Sequence, residues 1–244
     1  MASVESGRLG GRCYHCAEPL GYEPSYQASG DEILCADCVA TPPAFMRATA
    51  FGSYELMRHA LRLFKFGNVR SLARPMGALL AEAVLAQAEG MPESLLVIPV
   101  PLFRRRRLYN QSHLLALAAM RVVRRRHPHW RMELAPRRMK RVHHRESQYR
   151  LSPDERRENV RGAFRVRGSV RGRHVLLVDD VYTTGATVTE CTEVLLAAGA
   201  ESVRVVTLAR AGTQTPMLWS APVEVTDHPA RNKFGSPNYS HSVP

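Results

Sequence analysis

The thirteen residues from Val175 to Thr187 constrain this chain more than any others. Val175, Leu176, Leu177 and Val178 form a continuous apolar run of the kind that fills a strand buried on both faces of a parallel sheet. The run ends in two adjacent carboxylates, Asp179 and Asp180. Thr183, Thr184, Gly185, Ala186 and Thr187 follow, at the point where a helical pattern begins. Open α/β sheets bind ligands beyond the carboxyl ends of their strands. The N–H groups of a helix N-terminus attract anions, hydroxyls add donors, and a glycine lets the backbone come close. The pattern therefore sets an anion cradle just beyond a carboxylate pair. A ligand that satisfies both carries a phosphate at one end and a diol or a metal at the other, and a 5-phosphoribosyl group fits.

Periodicity along the rest of the chain gives the frame. A helix is predicted over 55–66, with Leu56, Met57, Ala60, Leu61 and Phe64 on its apolar face. Arg58, Arg62 and Lys65 lie on the other face, read as solvated, and Gly67 stops the helix. A second helix is predicted near 76–88 and a buried strand over 95–100. Asn110 caps a long helix through Arg126, with Leu114, Leu115, Ala118 and Val122 apolar. One or two strands are expected within 132–142, a basic loop over 145–161 and a strand edge at 164–166. A strand over 174–178, a helix over 186–198 and a strand over 203–208 complete the series. Strands alternating with helices at this spacing predict an α/β fold: a mostly parallel sheet with helices on both faces. From Gly212 onward the chain has five prolines and little periodicity, so a loosely ordered tail is expected over 212–244.

Four of the five cysteines are organised. Cys13 and Cys16 form one C-x2-C, Cys35 and Cys38 another, with eighteen residues between. Each pair can turn both thiolates to one tetrahedral ion, and two pairs close the four-coordinate shell of a structural zinc site. A redox role would want a βαβ pattern around the pair, and none is there. His15 is not needed as a ligand beside four thiolates, and Cys191 reads as a small buried apolar residue. A module of about 40 residues cannot bury enough surface to fold without such a metal. The expected organisation is a zinc-ribbon module over 1–44 and the sheet domain over 45–211.

Charge is unevenly placed. The chain has 34 Lys+Arg against 22 Asp+Glu, a net +12. Residues 104–173 alone hold 22 basic and 5 acidic side chains, a net +17. A solubility face asks for a net charge of only about 2–8, whereas a guanidinium field this dense draws polyanions: phosphorylated substrates, pyrophosphate or nucleic acid. With 45% hydrophobic residues a real core is expected, which excludes wholesale disorder. No stretch approaches the roughly 18 apolar residues of a membrane span, and the N-terminus lacks an apolar signal region, so a cytoplasmic protein without membrane insertion is expected.

The 175–187 string resembles the thirteen-residue phosphoribosyl-diphosphate (PRPP) signature of type I phosphoribosyltransferases. With the four cysteines before it, the chain resembles the ComF (ComFC) family of competence-associated proteins. Tyr54, the Leu63 to Phe66 stretch, Ile98 to Pro101 followed by arginines and Asn110-Gln111, and then Gln148, Leu151, Arg156, Arg157, Asn159, Gly162 and Phe164, extend the likeness over about 13–210. The resemblance implies a type I phosphoribosyltransferase-like sheet. It implies that Asp179 and Asp180 hold ribose hydroxyls and that Thr183, Thr184, Gly185, Ala186 and Thr187 hold the 5′-phosphate. It places Arg104, Arg105, Arg106 and Arg107 on the pyrophosphate side, with Mg²⁺ accompanying PRPP. The sequence departs from the pattern in two places: Arg107, Leu108, Tyr109, Asn110 and Gln111 stand where relatives have Arg-Gly-Phe-Asn-Gln, and Arg145 stands where a threonine is common.

Three functions follow. One is a phosphoribosyltransferase acting on an acceptor base that the sequence does not identify. Another is a component of uptake or processing of transforming single-stranded DNA, working with other competence proteins, as family membership implies. In that reading Arg104 to Arg107 and the distal Arg124, Arg125 and Arg126 track one DNA backbone. The third is a regulator that senses PRPP without turning it over. The DNA-uptake reading, with PRPP binding retained, joins the string, the charge and the cysteines best.

Overall fold

The apolar runs near 95–100, 174–178 and 203–208 lie side by side as the middle of one five-stranded sheet. The computed structural model describes residues 11–20, 26–29, 32–102, 109–142 and 160–211. Arg104, Arg105, Arg106 and Arg107, the basic stretch as far as 159, and the expected tail from 212 lie outside the described residues. In chain order the elements begin with β1 (Tyr26–Ser29), β2 (Glu32–Leu34), α1 (Ala36–Ala40), β3 (Arg47–Ser53) and α2 (Tyr54–Phe66). Then come α3 (Ala73–Leu85), β4 (Ser94–Pro99), α4 (Gln111–Arg126), β5 (Arg131–Leu134) and β6 (Met139–Arg141). β7 (Phe164–Val166), β8 (His174–Tyr182), α5 (Ala186–Ala197) and β9 (Ser202–Arg210) complete the order.

The main sheet runs β3-β9-β8-β4-β5, parallel throughout. β1 with β2, and β6 with β7, are separate antiparallel pairs. Leu176 and Val178 of β8 face a core built with Met57, Leu61 and Phe64 of α2 and with buried residues of α3 and α4. Val175 and Leu177 face a second core shared with Val188, Cys191 and Leu195 of α5. Cys13, Cys16, Cys38 and Phe45 belong to that second core, so the cysteine module is packed onto the sheet domain. α3 and α4 cross closely at Gly77, where a Cβ would stand 2.3 Å from the Ala118 Cβ. Among the described residues no helix is long and apolar enough to cross a membrane.

The structure revises or resolves four readings of the sequence. β3 is an edge strand with Ala48, Ala50 and Gly52 among its residues, types depleted in strands, and periodicity missed it. Residues 132–142 resolve into β5, in the main sheet, and β6, paired with β7. β8 runs on to Tyr182, so Asp179 and Asp180 lie within its ladder instead of beyond it. Leu56, assigned to the apolar face of α2, is 47% exposed; the buried stripe is Met57, Leu61 and Phe64.

Candidate ligand site and cysteine cluster

β8 carries Asp179 and Asp180 to the C-terminal end of the sheet, shortly before its pairing with β9 closes at Tyr182 opposite Arg210. Asp180 is 8% exposed, and its Oδ1 lies 2.8 Å from Nζ of Lys65 in the last turn of α2. Asp179 Oδ1 accepts from Ser112 Oγ at 3.0 Å and from the Asp180 N–H at 2.9 Å. Burial, and after it the neighbouring Asp180 charge, push the Asp179 carboxyl up to about 7, against the opposing pull of Lys65 and the two hydrogen bonds. A carboxyl held there exchanges its proton near neutrality and gains from any cation or hydroxyl brought beside it.

Lys65 corrects the reading of α2 as a helix with one solvated cationic face. Arg58 and Arg62 are exposed, but Lys65 turns inward to the carboxylate pair. Its position, four residues after Leu61 and eight after Met57, puts it on the flank of the buried stripe, which was the available signal. Ser112 was also missed, because a serine in a helical run carries no pattern. It is held by the cap of α4: Asn110 Oδ1 accepts from the His113 N–H at 3.1 Å, and its amide donates to the Val100 carbonyl at 2.9 Å. That bond fastens the first turn of α4 to the end of β4. Tyr109, at the aromatic position of the family pattern, donates its hydroxyl to the Phe64 carbonyl, and its ring meets the Phe64 ring at a tilt, 5.6 Å between centroids.

The loop after the carboxylates turns on one residue. Gly185 caps α5 at φ 78° and ψ −10°, in the left-handed region. A Cβ there would lie 2.4 Å from the Tyr182 hydroxyl. Thr183 is exposed, Thr184 and Thr187 are half-buried, and Ala186 opens the helix. The Ala186 N–H donates to Thr184 Oγ1 at 3.4 Å. A cleft of about 820 Å³ opens beside the loop, between Thr184, Ala186 and Thr189 on one wall and Cys38, Pro42 and Pro43 on the other.

The four cysteines come together as the spacing requires. Their sulfurs all lie within 4.8 Å of one another, and those of Cys16 and Cys35 are 3.6 Å apart. Thiolates around a tetrahedral ion with bonds of about 2.3 Å stand roughly 3.8 Å apart, so Cys13, Cys16, Cys35 and Cys38 are positioned to bind one metal ion. Cys191 is fully buried, as expected of an apolar residue. The distal arginines are partly engaged: Arg124 donates to the Met132 carbonyl at 2.5 Å and Arg126 pairs with Glu82 at 2.8 Å, while Arg125 is exposed.

The phosphoribosyl transferase domain family matches residues 134–237, a stretch that contains both the carboxylate pair and the loop. The sheet with this site is therefore a phosphoribosyltransferase domain. The chain is 34% identical over 192 residues to the DNA utilization protein YhgH of Escherichia coli O157:H7, covering 75% of this chain and 80% of that protein. It is 32% identical over 208 residues to Competence protein F of Haemophilus influenzae, covering 82% and 84%. Among solved structures, a hypoxanthine phosphoribosyltransferase from Staphylococcus aureus aligns at 14% identity and a TM-score of 0.34, over 62% of this chain and 71% of that one. The chain belongs to the ComF family of competence-associated proteins.

Proposed function

We propose that this protein serves in the uptake or processing of transforming single-stranded DNA and binds PRPP, or a related phosphorylated ribose, at the end of β8. The observation that carries the ligand reading is the half-buried Asp179 and buried Asp180 next to a loop whose Gly185 adopts φ 78° at the mouth of α5. Asp179 and Asp180 accept the ribose hydroxyls. Thr183, Thr184 and Thr187 supply hydroxyl donors, and the N–H groups of the loop and of the first turn of α5 receive the 5′-phosphate. The carboxylate oxygens are hard donors suited to Mg²⁺, which when bound neutralises charge on the diphosphate. The DNA role rests on the names of the relatives, DNA utilization protein and competence protein, and on the +17 segment. Other competence proteins are the partners that reading implies, and the cytoplasm is the compartment.

In the enzymatic variant of this reading, a nitrogen base bonds to C1 of the ribose while the C1–O bond breaks and pyrophosphate leaves with the electron pair. Such displacements pass through an oxocarbenium-like state, so the protein supplies positioning and charge and needs no nucleophile. In this scheme Arg104, Arg105, Arg106 and Arg107 are assigned to the departing pyrophosphate. A sensor would bind PRPP in the same way without an acceptor, and a panel of bases assayed with PRPP and Mg²⁺ separates the two.

The DNA role is tested by titrating salt against binding of a labelled single-stranded oligonucleotide, with and without PRPP. Binding is expected to weaken with a slope of about 0.7 per phosphate contacted, and replacing Arg124, Arg125 and Arg126 by Ala to lower that slope by about 2. PRPP should compete, because part of the track crosses its site. A slope indifferent to the triple substitution, or binding no tighter than about 10⁻⁴ M at physiological salt, removes the DNA role and leaves an enzyme or sensor.

We read the cysteine cluster as a structural zinc site that makes residues 1–44 a metal-dependent module beside the 45–211 domain. Purified protein is expected to carry about one zinc per chain. Cys16→Ser or Cys35→Ser should lose it and raise amide exchange through residues 11–44. A metal-free chain with an intact module sinks this assignment.

A further inference from the structure

Arg210, the last residue of β9, joins the cysteine module to the loop. Its guanidinium pairs with the Glu18 carboxylate and lies 4.3 Å over the Tyr182 ring. The same group donates to the Thr183 carbonyl, to that of Tyr182 at 3.4 Å and to that of Ala211 at 2.8 Å. Only 10% of the Arg210 side chain is exposed. A guanidinium buried to that degree depends on its carboxylate, because an unpaired buried charge is strongly unfavourable.

Glu18 in turn is fixed by the first cysteine turn. The Cys13 N–H donates to the Glu18 carbonyl at 2.8 Å, and the Ala17 N–H to the Cys13 carbonyl at 2.9 Å. Ala17, between Cys16 and Glu18, holds a left-handed φ of 59°. An alanine keeps that conformation only at a cost, which an ion bound by Cys13 and Cys16 together would offset. At the other end, Tyr182 is wedged between the module and the loop. Phe45 meets its ring edge-on at 6.4 Å, and its hydroxyl fills the space against Gly185.

We propose that Arg210 is a positioning residue through which metal binding at the cysteine cluster sets the geometry of the 183–187 loop. The metal closes the 13–18 turn, the turn presents Glu18, and Glu18 orients the Arg210 fork. The fork then holds the carbonyls of Tyr182 and Thr183, from which the loop departs. The inference rests on reading that loop as the phosphate site. It makes affinity for a phosphorylated ribose depend on an ion that touches no part of the ligand.

Hydrogen exchange on the full chain tests it, with ribose 5-phosphate as the binding probe. In the wild type, stripping the metal is expected to speed amide exchange over 183–190 at least tenfold while residues 76–85 and 112–123 stay protected. Arg210→Met should show the same fast loop exchange with its metal still bound, and stripping that variant should add less than a twofold change. Glu18→Gln, on a side chain 24% exposed, should do the same in milder form and guards against a misfolded Arg210 variant. Ribose 5-phosphate affinity should fall about tenfold in metal-loaded Arg210→Met. Wild-type loop exchange in metal-loaded Arg210→Met and Glu18→Gln overturns the proposal, as does a loop unaffected by stripping. A wild type that shows the exchange coupling but binds no ribose 5-phosphate refutes the phosphate-site reading and leaves the coupling standing.

Discussion

Gly185→Val is expected to lower affinity for PRPP by at least about 100-fold, equivalent to about 2.7 kcal/mol. Two effects combine at this position. An L-residue at φ 78° is disfavoured by about 1–2 kcal/mol. The added Cβ also meets the Tyr182 hydroxyl at 2.4 Å and its ring carbons at 2.8 and 3.0 Å. Tyr182 is held by Phe45 and Arg210 and has little room to give way, so the loop has to move. Displacing the loop would turn its N–H groups away from the phosphate of the proposed ligand. Asp179→Asn and Asp180→Asn should lose binding by another route, since an amide keeps the shape but drops the charge that attracts Mg²⁺ and strengthens bonds to ribose hydroxyls. Isothermal calorimetry with PRPP and Mg²⁺ reads all three, and circular dichroism checks that the sheet persists. Equal binding by the wild type and all three variants would mean that the loop holds no phosphate.

What the sequence disclosed about this site follows from where each residue's signal resides. The carboxylates and the loop are consecutive, so one short string carried them. The cysteines repeat a spacing suited to one tetrahedral ion. Asn110 stood at a helix start and was legible as its cap. Lys65, Ser112, Glu18 and Arg210 are different, because each acts through a partner remote in the chain. Lys65 meets Asp180 across 115 positions and Glu18 meets Arg210 across 192, and no local periodicity records such a pairing. Lys65 in particular was misassigned because a lysine is ordinarily solvated. β3 escaped for another reason: an edge strand of small residues is recruited by its neighbour β9 and owes little to its own propensity.

Lys65→Met is expected to lower the melting temperature by about 5–10 °C at pH 8, corresponding to about 2–3 kcal/mol in a domain of this size. At pH 5 the loss should be clearly smaller. The Lys65 and Asp180 side chains are 19% and 11% exposed, so the ion pair is largely shielded from water, and removing one partner leaves the other charge uncompensated. The pH dependence comes from Asp179, whose carboxyl is pushed up to about 7, first by burial and then by Asp180. A raised carboxyl gains a proton on folding. Its favourable contribution is complete below the ordinary carboxylate range, near pH 4, and is lost as the pH rises through about 7. At pH 5 Asp179 is therefore largely protonated and adds little negative charge beside Asp180 when Lys65 is gone. At pH 8 two adjacent carboxylates stand without a cation. Lys65 is one of the groups that hold the Asp179 carboxyl down, so its loss moves the window higher and deepens it. The companion variant Lys65→Met with Asp180→Asn removes one of the two charges and should recover most of the loss at pH 8. Mg²⁺ should also stabilise Lys65→Met more than the wild type, since it finds the Asp180 oxygen without a competing ammonium. Thermal unfolding of the three proteins at both pH values, with and without Mg²⁺, decides the matter. An equal loss at pH 5 and pH 8, or no rescue by the second substitution, would show that Lys65 packs at the site without balancing its charge.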